Sequence, residues 1–134
     1  MKKSDRLTLI NYRLARCKES IEEVKLLIEK EKYFAAMNRI YYGLFYVVNC
    51  LALIDGFTTS KHTQLIGYFN KNYVKTGIFP KEIGKFFKQS FENRSKSDYQ
   101  DLVEFTKIQV EQDYEMMKKF IPFAEGIIKE KLEK

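Results

Sequence analysis

The chain has 134 residues, 45% of them hydrophobic, with only two prolines and six glycines. A chain of that size reads as one domain, residues 1–134, able to bury a core without disulfide or metal support. So little turn chemistry argues against a β fold and for an all-α one. The formal net charge is +6, with one histidine and two cysteines outside any CxxC pairing. Zinc and dithiol chemistry therefore lack their residues, and no metal and no cofactor are expected. Cys17 and Cys50 are expected to be reduced and packed. No uninterrupted apolar run of about 18 residues exists and no apolar signal core opens the chain, so a cytoplasmic protein without a membrane span is expected.

In chain order, Leu7, Ile10, Leu14, Cys17, Ile21, Val24 and Ile28 recur at spacings of three and four. That spacing makes one apolar stripe and predicts a first helix over about residues 5–30, capped by Ser4 or Asp5. A break near Glu31-Lys32 precedes a second helix over about residues 33–54. Its stripe is Tyr33, Met37, Ile40, Leu44, Val47, Leu51 and Ile54. Phe34, Tyr41, Tyr42, Phe45, Tyr46 and Val48 make this helix apolar nearly all round, so more than one neighbour, or a second subunit, must cover it. Asp55-Gly56 supplies its stop.

Thr58-Thr59-Ser60 offers caps for a third helix over about residues 61–75, with Leu65, Ile66, Phe69 and Tyr73 inward. Pro80 suits the opening of a fourth, over about residues 80–95, with Ile83, Phe86, Phe87 and Phe91 inward. The polar stretch Arg94-Ser95-Lys96-Ser97-Asp98-Tyr99 reads as leaving the helix. A fifth, over about residues 103–131, carries Val110, Tyr114, Met117, Ile121, Ala124 and Ile128 inward and is expected to bend at Pro122. The sum is an up-and-down bundle of about five helices, with two long antiparallel ones first.

Charge is uneven. Residues 61–96 hold eight basic side chains against Glu82 and Glu92, a balance of +6, whereas residues 97–134 hold six basic against nine acidic, a balance of −3. Such a basic block points to a polyanion or an acidic protein surface as partner, or serves solubility alone.

Three groups of residues could carry chemistry. Arg94, Asp98 and Tyr99 place a guanidinium, a carboxylate and a phenol close together, with Lys96 between them. Arginine grips phosphate through paired N–H bonds, while an Arg–Asp pair closing a helix end is the plainer reading. Lys61 and His62 open the third helix, and an imidazole can take or give a proton near neutral pH. The row Tyr41, Tyr42, Phe45 and Tyr46 could stack bases, but at helical spacing reads better as core and dimer seam. No GxGxxG, P-loop, HExxH or GxSxG pattern occurs.

Several phrases in a fixed order resemble the HEPN domain family. They are Tyr33-Phe34-Ala35-Ala36 followed by Tyr41-Tyr42-Gly43-Leu44-Phe45; Ser60-Lys61-His62; Phe69 with Val74-Lys75-Thr76-Gly77; and Phe91-Glu92-Asn93-Arg94 with Ser97-Asp98-Tyr99. The resemblance spans about residues 5–132. It implies a helical bundle that dimerises through its central helices, often beside a small nucleotidyltransferase in toxin–antitoxin modules. Several members are metal-independent RNases that use an arginine followed by a histidine. Arg94 matches that arginine, but Tyr99, Gln100 and Asp101 occupy the histidine's region. Some family toxins are silenced by nucleotide transfer to a tyrosine, for which Tyr99 is the nearest counterpart. Three functions stay open: a homodimer binding RNA or nucleotide at Arg94, Asp98, Lys96, Lys61, His62 and Tyr99; a module that binds a nucleotidyltransferase; and an RNase in which Asp98 or His62 replaces the missing histidine.

Overall fold

A computed structural model describes residues 2–99 and 103–134, apart from the side chains of Asp98 and Tyr99. Among them are five α-helices and no strands: α1 (Lys3–Glu29), α2 (Tyr33–Asp55), α3 (His62–Phe69), α4 (Lys81–Tyr99) and α5 (Lys107–Leu132). The all-α bundle read from the apolar stripes is the observed architecture.

The two long helices form a hairpin. Glu31 adopts a left-handed φ of 58° between them, and Lys32 N–H reaches back to Leu27 O at 2.8 Å. Contacts across the pair run in opposite senses. Cys50 lies beside Ile10, Cys17 beside Gly43, and Arg39 beside Glu23. The helices approach closely at Gly43, where an added Cβ would lie 2.6 Å from Met117 Cε, the movable end of that side chain, and 3.3 Å from Ser20 Cβ. Both thiols are buried and free. Burial pushes Cys50 up to about 12 and raises Cys17 further, so neither is a nucleophile at neutral pH.

Helix α2 is the central rod, packed by α1, α5, α4 and α3. Its buried residues include Ile40, Tyr41, Leu44, Val47, Val48 and Leu51. By length and composition α2 is apolar enough to cross a membrane, with mean hydropathy 1.2, but 61% of that stretch is buried by its neighbours. The same burial accounts for most of its apolar excess without a second subunit.

The ends are set by local chemistry. Gly56 takes φ 79° after α2, and Phe57 N–H bonds Ala52 O at 2.8 Å. A left-handed glycine satisfies the last carbonyls in this way. Thr106 and Gln109 cap α5 reciprocally. The start of α1 departs from expectation: Lys2 is its cap residue without a side-chain bond, and Ser4 lies inside the helix, with its carbonyl taken by Thr8. Leu7, assigned to the buried stripe, is exposed near that end. The third helix is shorter than expected and passes into a π-helical turn, Asn70–Val74. Lys75 N–H bonds Asn70 O at 2.8 Å there.

One correction bears on function. The polar stretch from Arg94 does not leave the helix, because α4 continues through Tyr99. Its last turns are fastened locally, with Ser97 Oγ donating to Asn93 O and Gln89 Nε2 to Asn93 Oδ1. The backbone of Asp98 therefore falls one turn beyond Arg94 rather than in a loop.

Candidate functional site

Three helices meet at the middle of α2. Tyr41 and Tyr42 come from α2, His62 from the first turn of α3, and Phe91 and Arg94 from neighbouring turns of α4. Tyr41 is wholly buried. Its hydroxyl and His62 Nδ1 share a hydrogen bond at 2.5 Å. The imidazole lies in an aromatic cage: the Phe45 ring is 4.5 Å away and stacked, Tyr41 5.6 Å and stacked, Phe91 5.9 Å and tilted. Arg94 Nη2 donates to Tyr42 OH at 3.1 Å, and its guanidinium lies 5.3 Å from the centre of the Tyr42 ring. Adjacent rings of Tyr41 and Tyr42, 5.4 Å apart and edge to face, join the two halves.

The electrostatics agree with that geometry. Burial, and then the positive charge of Arg94, hold the His62 imidazole below its ordinary value. His62 is accordingly neutral at pH 7, and it feels Arg94 although thirty-odd residues separate them in the chain. Tyr41 is pushed well above the usual phenol range by burial, so it stays a hydroxyl and fixes one ring nitrogen of His62. An imidazole with one nitrogen held and the other directed elsewhere, beside a guanidinium, can hold an anion and move a proton.

The sequence-read residues fare unevenly. Arg94 and His62 are brought into one patch, which spacing alone does not reveal. Lys61 and Lys96 are exposed, at the start of α3 and near the end of α4. The side chains of Asp98 and Tyr99 lie outside the described residues. Of the four aromatics assigned to a seam, Tyr41 is sealed inside the chain beneath α3 and α4, while Tyr42, Phe45 and Tyr46 keep part of their surface. Tyr42 and Tyr46 face a groove of about 340 Å³ with Ala35, Asn38 and Arg39. The pairing of Tyr41 with His62 was missed, because a tyrosine at core spacing looks like packing until the third helix lands on it. Among the described residues, no group of three or more His, Cys, Asp or Glu side chains could hold a metal ion.

Comparison with known proteins places the chain in a family. The model of the HEPN domain matches residues 10–134. A "UPF0332 protein" of Thermotoga maritima is 42% identical over 120 residues, covering 90% of this chain and 86% of that protein. A Methanocaldococcus jannaschii protein named "Putative toxin MJ0142" is 29% identical over 98 residues, 73% of this chain and 67% of its own. A second from that organism, "Putative toxin MJ0605", is 30% identical over 81 residues, 60% of each chain. The chain belongs to the HEPN domain family.

Proposed function

We propose that this HEPN domain is of the toxin type and binds RNA or nucleotide as a homodimer, with Arg94 as its phosphate contact. The observation that carries the reading is the convergence of Arg94 and His62 on one aromatic patch of α2, through Tyr42 and Tyr41. A guanidinium grips phosphate, the half-buried rings offer faces for bases, and the basic block of residues 61–96 supplies long-range attraction. The toxin names of the two archaeal relatives support the class. Partly exposed Tyr42 and Tyr46, beside Arg39, are the surface left on α2 for a second copy. A solution mass of twice 16.0 kDa is expected.

Titration with single-stranded RNA at two salt concentrations tests the binding. Arg94→Ala should weaken it about tenfold and lower the salt slope by about one. Equal binding by parent and variant would remove Arg94 from the site.

The His62–Tyr41 pair favours a second reading, metal-independent RNA cleavage. In the tautomer that donates Nδ1–H to the Tyr41 oxygen, Nε2 is the base. It takes the proton of a ribose 2′-hydroxyl, the 2′ oxygen bonds to phosphorus, and the bond from phosphorus to the 5′ oxygen breaks. That oxygen leaves with the proton returned by His62, giving a 2′,3′-cyclic phosphate and a 5′-hydroxyl. Cleavage in chelator should then be lost in both His62→Ala and Arg94→Ala, and cleavage surviving both would be a contaminant's.

A further inference from the structure

A second polar cluster lies at the far end of α2 and belongs to no part of the reading above. The carboxylate of Asp55, the last residue of α2, accepts three hydrogen bonds from three other elements. Tyr68 OH of α3 donates to Oδ2, Tyr73 OH of the π-helical turn donates to the same oxygen at 2.6 Å, and Lys131 Nζ of α5 donates to Oδ1 at 2.8 Å. Lys131 also lies 4.9 Å from the centre of the Tyr73 ring. These donors satisfy the carboxylate and neutralise its charge.

Beside this cluster opens a groove of about 870 Å³, within the size range of small-molecule sites. One wall carries an aromatic stack, with the Phe57 and Tyr68 rings face to face, their centroids 4.5 Å apart and their planes 5° from parallel. Lys71 and Gln64 also line the groove. Lys71 is exposed and makes no ion pair among the described residues. With Asp55 neutralised, the groove presents an anion with an available cation rather than a repelling charge. The π-helical turn contributes as well. Such turns are rare and recur at functional sites. Here the turn sets Lys71, Asn72 and Tyr73 on one groove. Gly67 leaves the floor open, with nothing within 4 Å of an added Cβ.

We infer that this groove is a second ligand site, for a nucleoside monophosphate. Lys71 takes the phosphate, an outer face of the Phe57–Tyr68 stack takes the base, and the Gln64 amide N–H, its carbonyl already accepting from Thr59 Oγ1, donates to a polar edge. Thirteen residues of helix, about 20 Å at 1.5 Å rise, separate Asp55 from Tyr42, so one mononucleotide cannot occupy this groove and the Arg94 patch together.

Calorimetry and amide chemical shifts of the full chain, titrated with adenosine 5′-monophosphate, test the assignment. Saturable binding is expected, with shifts around residues 64–73. Gly67→Glu puts a negative charge into open space on an exposed helix position and should weaken binding about tenfold by repelling the phosphate, and Lys71→Ala should weaken it about as much by removing one charge-assisted contact. Gly67→Ala, the control for folding, should bind like the parent, and Arg94→Ala, which removes the phosphate contact of the first site, should still show the shifts around residues 64–73. Three results would overturn the inference: no saturation, Arg94→Ala abolishing the binding that Gly67→Glu leaves intact, or inorganic phosphate binding as tightly as the nucleotide.

Discussion

Helix α2 carries two polar clusters built on opposite plans. At its C-terminal end, Asp55 is closed off by charge and hydroxyl donors from three other elements, so the cluster ties helix ends together. At its middle, His62 is enclosed by rings and shares its described hydrogen bond with a phenol. The first plan holds the carboxylate ionised: despite burial, bonds from Lys131, Tyr68 and Tyr73 keep Asp55 below its ordinary value. The second leaves a titratable group neutral and adjustable near physiological pH. Mutual satisfaction of polar groups builds the frame, and aromatic enclosure sets up the chemistry.

Removing Asp55 breaks the comparison most severely. Asp55→Ala leaves the buried Tyr73 hydroxyl and the Lys131 ammonium without their acceptor. An orphaned buried donor costs about 1–3 kcal/mol, and two donors in one cluster should cost about 2–3 kcal/mol by urea denaturation. Tyr41→Phe, which removes only the phenol from the His62 pair, should cost about 1 kcal/mol. Equal costs would mean that Asp55 is no more of a frame than the aromatic patch is. The pH sign follows from the depressed value of Asp55. Its contribution is present above about 3.8, the ordinary value, and is lost as pH falls through the folded value.

A second carboxylate sharpens the contrast, because Asp113 of α5 is half-buried without such donors. Burial is the sole cause of its shift and pushes it up to about 6. The sign is therefore opposite to that of Asp55. The fold favours the protonated acid, so its contribution is present below about 3.8 and is lost as pH rises through about 6. Asp113→Asn should exceed the parent in stability at pH 7 by about 1–2 kcal/mol, after discounting for its partial exposure. The two should converge toward pH 4. A constant difference across that range would mean that Asp113 is not the group titrating.

The bundle was legible because its stripes are long. Ile10, Leu14, Cys17 and Val24, and the row from Met37 to Leu51, fell inward where their spacing put them. Leu7 did not: near the end of α1 it lies on an open groove shared with Ile54 and Leu132. The reading that ended α4 near residue 95 failed for a related reason. Polar composition predicts a loop only when nothing fastens the turn, and here Asn93, Ser97 and Tyr42 do. Of the site, Arg94 and His62 were legible as residue types, but their meeting was not. It depends on how α3 crosses α2, which a periodicity of three and four along one helix cannot encode. Asp55 was read as a helix stop, and its three donors come from segments that only the fold brings together.

The subtlest effect tests that meeting directly. His62 is the one histidine of the chain, so its ring signals in a proton NMR titration belong to a single group. In the parent it should titrate below 6.5, the ordinary value. Its contribution to stability is then present above that value and is lost as pH falls through the folded one. Burial is the larger cause of the depression and the Arg94 charge the smaller. Arg94→Ala should therefore raise the midpoint only part of the way toward 6.5, while a mutation at the other end of α2, such as Lys131→Ala, leaves it in place. If Arg94→Ala does not move the midpoint, guanidinium and imidazole do not share an electrostatic environment. The patch on α2 would then be two unrelated contacts, and the aromatic enclosure of His62 would be packing alone.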